Sequence, residues 1–120
     1  MALTTGLTYP KALGGVISMS GYLPRPNEFT PNDCNLGTPV LFCHGDDDDV
    51  VNIQWARDAA NRIKETGLKS VEFKVYRGMP HSACRAEIDD VTEFVKSVFS
   101  RTELLIKCCK IPGLLPPATF

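Results

Sequence analysis

Apolar residues recur along this chain with two periods, and the switches between them mark the elements. Val40-Leu41-Phe42-Cys43, entered through Thr38-Pro39, is a continuous apolar run. Such runs suit a strand buried on both faces of a parallel sheet. Gly14 to Gly21 predicts a short strand bounded by glycines. Ser70 to Tyr76 alternates with period two, which predicts a strand with one wetter face. Ala56, Ala59, Ala60 and Ile63 fall at helical spacing within a helix predicted over 53–66, with Asn52 as its cap and Gly67 as its stop. A second helical stripe is formed by Ile88, Val91, Val95 and Val98, with Phe94 and Phe99 beside it. Between the first two strands, Pro24 and Pro26 cannot join a central ladder, so the segment to Gly37 reads as a loop. The order strand, strand, helix, strand, helix predicts an open α/β sheet of three mainly parallel strands with flanking helices.

Composition narrows the function classes without choosing among them. The 120 residues fit one small domain, and 43% hydrophobic with 22% charged is ordinary for a globular chain. A net charge of −1 gives no electrostatic case for nucleic acid or an anionic membrane. No apolar run is long enough to cross a bilayer. The first residues, MALTTGLTYPK, show no basic region followed by an apolar stretch, which argues against a secretory signal. Five cysteines, an odd number, then suggest free thiols in a reducing compartment, so a cytoplasmic location is expected. No CxxC pair has zinc spacing.

The chemistry gathers after two predicted strands, where open α/β sheets keep their working loops. His44-Gly45 and four consecutive aspartates, Asp46 to Asp49, follow the buried run, and His81 follows the next strand. Four carboxylates in a row have three readings: a cation site, a solvated turn, or a turn containing one catalytic acid. A calcium loop would spread its oxygen ligands over about twelve residues with glycine and glutamate at set places, and DDDD lacks that form, so no metal is assigned. A solvated turn suits Asp46, Asp47 and Asp49. Asp48 stands apart, because an Asp after one strand and a His after the next is the order of a hydrolase triad. Cys84, three residues after His81, has a nucleophile reading and a plainer one as a small buried side chain.

Three stretches together carry a resemblance: Gly15-Val16-Ile17-Ser18-Met19-Ser20-Gly21-Tyr22-Leu23-Pro24, His44-Gly45-Asp46-Asp47-Asp48-Asp49-Val50-Val51, and Tyr76-Arg77-Gly78-Met79-Pro80-His81-Ser82-Ala83-Cys84. In order and spacing the chain resembles the acyl-protein thioesterases and related small carboxylesterases, over most of its length up to about Ser100. The resemblance implies a partial α/β-hydrolase fold, with residues 1–100 as the C-terminal portion of such a domain and 101–120 as a divergent tail. It implies a serine hydrolase acting on fatty-acyl thioesters or carboxylic esters, on an acylated protein or a small acyl ester, with no cofactor. By that pattern Asp48 is the catalytic acid and His81 the catalytic histidine. His44 shapes the strand exit, and Tyr22, Leu23 and Val51 border the acyl channel. Asp46 matches an acid that often follows His-Gly in the family. Asp49 and Asn52 stand where the family usually has proline.

The largest departure is the nucleophile. The family's serine lies in GxSxG before a helix, and no GxSxG occurs in these 120 residues; neither Ser18 nor Ser20 fits it. Met1 to Thr5 resembles the later part of the helix that follows the nucleophile, which would place the serine about ten residues before Met1. The expectation is therefore a hydrolase C-terminal half whose serine and oxyanion hole lie outside this chain. The alternative is an inactive fragment with a binding role or none. On either reading the strand at Val16 to Met19 has an open edge that invites self-association, and three strands with two helices bury a thin core. Cys108-Cys109, between lysines, reads either as a palmitate acceptor or as part of a plain tail.

Overall fold

All six residues of the central strand, Val40–Gly45, are buried, and the sheet is built around it. A computed structural model describes the backbone of residues 2–108 and the side chains of residues 2–100. The elements run α1 (Ala2–Leu7), β1 (Val16–Met19), β2 (Val40–Gly45), α2 (Ile53–Glu65), β3 (Val71–Tyr76) and α3 (Arg85–Cys108). Both strand pairs are parallel, in the order β1-β2-β3, with Val16 opposite Val40 and Val40 opposite Val71. The paired cysteines and the proline-containing stretch after them, where the palmitate and plain-tail readings fall, lie outside the described side chains.

Alternation along β2 divides the interior. Val40 and Phe42 join Leu3 and Leu7 of α1, Val16 of β1, and Ala59, Ala60 and Ile63 of α2 in the larger apolar cluster. Leu41 and Cys43 join Tyr76 and Met79, with Val91 and Phe94 of α3 packed against them. Helices therefore cover both faces, as the continuous apolar run requires of a two-sided strand. The strand ends differ from the sequence expectation by a few residues. β1 is shorter than Gly14–Gly21, and β2 runs on through His44 and Gly45. Asn52 caps α2 by accepting from the Gln54 N–H at 2.8 Å, and the helix closes at Thr66.

The long β1–β2 connection has little regular structure, so a side chain organises it. Asn35 is fully buried. Its amide donates to the carbonyls of Tyr9 and Lys11 at 2.9 and 3.1 Å, and its Oδ1 accepts from Leu13 N–H and Thr38 Oγ1 at 2.9 and 2.7 Å. One side chain thus satisfies backbone groups that neither sheet nor helix serves. Among the described residues β1 pairs on one side only, with β2. No helix among them is long and apolar enough to cross a membrane.

Candidate active site

The β2–β3 register brings two loops side by side. Gly45 lies opposite Tyr76 at the ends of the two strands. Past that pair the loops are stitched together. Asp46 N–H donates to the Tyr76 carbonyl at 3.1 Å, and Asp47 N–H to the Met79 carbonyl at 3.2 Å. The Asp46 carboxylate accepts from Gly78 N–H at 2.6 Å. Asp46 is exposed in a turn, and its carboxylate also ties the two loops together. Gly78 turns the chain with a φ of +70°, a conformation that costs glycine little. Gly45 is required for a different reason: a Cβ there would collide with the carbonyl of Met79. The His-Gly dipeptide thus lets the second loop cross closely over the first.

This stitching delivers His81 to Asp48. His81 Nδ1 lies 2.8 Å from Asp48 Oδ2. A carboxylate can only accept, so Nδ1 carries the hydrogen and Nε2 is left as the basic nitrogen. The Asp48 carboxylate is fully shielded, at 0% exposure, while the His81 side chain is 39% exposed. Asp48 Oδ1 accepts from the N–H groups of Val50 and Val51 at 2.9 and 2.8 Å. Burial pushes the Asp48 carboxyl up, but the bonds from Val51, His81 and Val50, with the charge on His81, outweigh it and hold the group below its ordinary value. The result is an ionised acid behind a half-open imidazole, able to orient the ring and to stabilise its protonated form.

The other candidates are placed as follows. His44 is buried, and its Nε2 lies 2.8 Å from the Val51 carbonyl, tying the strand end to the start of the α2 approach. Asp47 and Asp49 are exposed. Among the described residues no cluster of three or more His, Cys, Asp or Glu side chains could hold a metal ion. Tyr22 is exposed, with its ring 5.7 Å from that of Trp55. Leu23 is buried in the larger apolar cluster, and Val51 is buried beside Asp48. Cys84 is partly buried against the smaller cluster.

Three features escaped the sequence reading: exposed Trp55 and Val50 beside the acidic loop, and buried Glu87 at the start of α3. Trp55, the chain's one tryptophan, sits off the apolar stripe of α2, and that was its available signal. A glutamate in a helix's first turn carries no sign that it will be buried.

Residues 1–99 match the sequence model of the phospholipase/carboxylesterase family. The chain belongs to that family. Among curated relatives of this chain, acyl-protein thioesterase 1 homolog 1 of Dictyostelium discoideum is 37% identical over 89 residues, covering 74% of this chain and 39% of the relative. Acyl-protein thioesterase 1 of Saccharomyces cerevisiae is 35% identical over 103 residues, covering 83% and 45%. The crystal structure of Arabidopsis thaliana SOBER1 superposes with a TM-score of 0.73 at 32% identity, covering 82% of this chain and 47% of that one. Zea mays acyl-protein thioesterase 2 superposes with a TM-score of 0.66 at 28% identity, covering 75% and 42%. The fold is thus a partial α/β hydrolase, and the family chain described here spans less than half the length of these relatives.

Proposed function

We propose that Asp48 and His81 are the acid and base of a Ser-His-Asp hydrolase that cleaves fatty-acyl thioesters or carboxylic esters. The observation that carries this reading is the 2.8 Å contact between His81 Nδ1 and a fully shielded Asp48 carboxylate. The serine comes from residues outside these 120, on a segment that pairs with the edge of β1 that has no partner among the described residues. Its Oγ attacks the acyl carbonyl while its proton passes to His81 Nε2. The imidazolium, stabilised by Asp48, then protonates the departing thiolate or alkoxide, and water repeats the sequence to release the acid. The exposed Tyr22, Val50 and Trp55 supply apolar surface for an acyl chain, while buried Leu23 and Val51 back it from within. Relatives named acyl-protein thioesterases favour an acylated protein as substrate, which makes depalmitoylation the specific reaction proposed. Free thiols at Cys34, Cys43 and Cys84 support a cytoplasmic setting.

The test is a chimera in which the N-terminal half of the Saccharomyces cerevisiae thioesterase precedes this chain. Labelling by a fluorophosphonate and hydrolysis of a palmitoyl thioester are the readouts. The chimera should label and turn over, His81→Ala should cost a factor of order a million in kcat, and the 120-residue chain alone should not label. A folded chimera that stays inert, or one whose labelling ignores His81→Ala, refutes the reading.

A further inference from the structure

Among the described residues, two that are not glycine take a left-handed backbone, Ser20 at φ +57° and Arg25 at φ +50°. They bracket the short segment that carries Tyr22 to Trp55, where the ring centroids are 5.7 Å apart. A residue with a Cβ holds such a conformation only where its surroundings impose it. For Ser20 the restraint is its own N–H, which donates to the Cys43 carbonyl on β2 at 2.8 Å. The Arg25 side chain makes no capping hydrogen bond. Its ion pair with Glu28, at 3.6 Å between groups 82% and 71% exposed, is of a kind worth little.

The restraint on Arg25 comes from the residues that follow it. Pro26–Glu28 form one short 3-10 turn, and α2 reaches across to it. Arg62 Nε donates to the Pro26 carbonyl at 2.8 Å, and Arg62 Nη2 to the Phe29 carbonyl at 3.2 Å. One guanidinium therefore grips the turn at its start and just past its end, and the planar fork fixes the direction of both carbonyls. Leu23 and Phe29 are buried in the larger cluster with Ala59, Ala60 and Ile63 of α2. Apolar contact has no direction, so that burial sets the depth of the segment and the two hydrogen bonds set its rotation. Trp55 and Arg62 stand about two turns apart on α2. The helix thus holds the segment at two points, by a ring contact and by a guanidinium.

We propose that Arg62 is a positioning residue for the acyl-binding wall: it grips the turn at 26–28, keeps Arg25 left-handed, and so presents the Tyr22 ring to Trp55 before a substrate arrives. A wall set in advance spares the substrate the work of ordering it. A long acyl chain gains that cover and a short one does not reach it, so Arg62 contributes to the preference for chain length. The consequence for substrates rests on the acyl-site reading above. The grip on the turn does not.

Proton NMR of the full 120-residue chain tests the grip. Cross-relaxation between the Tyr22 and Trp55 rings should be present in the unmodified chain, and the Arg62 Nε–H should exchange with water far more slowly than that of exposed Arg25. Arg62→Met, which keeps the apolar stem, should lose the ring cross-peaks while the β1–β2 amides stay protected. Arg62→Lys, able to reach one carbonyl, should weaken the cross-peaks without abolishing them. An Arg62 Nε–H that exchanges as fast as that of Arg25 overturns the proposal, even if neither variant folds. So do ring cross-peaks that survive in a folded Arg62→Met chain. The chimera reads the consequence. There, Arg62→Met should raise KM for a palmitoyl thioester on the order of tenfold, what about two methylene groups are worth when they lose cover. Values of kcat, and KM for an acetyl thioester, should stay within about twofold of the parent, and Arg62→Lys should recover part of the loss. Equal losses for both substrates would leave Arg62 a purely structural residue and overturn its role in the wall. If the chimera is inert while the ring cross-peaks respond to Arg62→Met, the hydrolase reading fails and the grip stands.

Discussion

Replacing Gly45 by alanine tests the loop crossing that creates the site. The added methyl would collide with the Met79 carbonyl oxygen and sit 2.7 Å from its carbonyl carbon and 2.8 Å from its Cβ. Ordinary carbon–carbon contact is about 3.5 to 4 Å, so backbone must move by about 1 Å. No rotamer change relieves a clash with main chain. Overpacking of this kind costs about 1–3 kcal/mol. Moving Met79 also pulls on the Asp47–Met79 and Asp46–Gly78 bonds, at 3.2 and 2.6 Å. Losing those adds about 1 kcal/mol for the neutral bond and about 1.5–3 for the charged one. We expect Gly45→Ala to lose about 3.5–7 kcal/mol in urea unfolding followed by circular dichroism. That is a large part of the total for a small domain, about 5–15 kcal/mol. Gly37 is the control, because a Cβ there meets nothing within 4 Å. Gly37→Ala should be neutral or gain up to about 1 kcal/mol through the unfolded chain. A Gly45→Ala loss under about 1 kcal/mol, with the His81 resonance unmoved, would refute the account of the crossing.

Other expectations concern protons and thiols. The Asp48 carboxyl lies below its ordinary value in the folded chain, so its stabilisation is complete above the unfolded value and is lost as pH falls through the folded one. Urea midpoints should therefore fall as pH drops below about 4, and Asp48→Asn should flatten that limb; an unchanged limb would count against the shielded ion pair. Glu87 is shifted the opposite way, raised chiefly by burial. Its contribution is complete below the unfolded value and lost as pH rises, so Glu87→Gln should gain stability relative to the parent from about pH 4 upward. Burial raises the Cys43 thiol, whereas Cys34 is exposed. Peptide-mapped alkylation should modify Cys34 in the folded state and reach Cys43 on unfolding; early modification of Cys43 would mean that the β2–α3 packing opens readily.

Local pattern alone determined the three strands, the two later helices and their order, while α1 was legible only through the family resemblance. Val40 to Cys43 declares a two-sided strand through its unbroken apolar run, and the four apolar positions of α2 declare the face turned to the sheet. Helical crossovers between strands then favour a parallel sheet, because a strand that leaves at one end must return to the other. Asp48 and His81 were legible as candidates because the loop positions after parallel strands follow from that order. What lay beyond the sequence is which polar groups meet. Asp46 and Asp49 look alike in a row of four and both are exposed, yet the Asp46 carboxylate stitches the two loops by accepting from Gly78 N–H. Leu23 and Trp55 are both apolar, yet one is in the core and the other on the surface. Glu87 reads as an exposed helix-start acid and is fully buried. These outcomes depend on the β2–β3 register, on how α2 and the β1–β2 connection pack on one face of the sheet, and on how α3 docks on the other. Those are contacts between residues 30 or more positions apart, and a hydrogen bond of that separation leaves no periodicity in the chain that makes it.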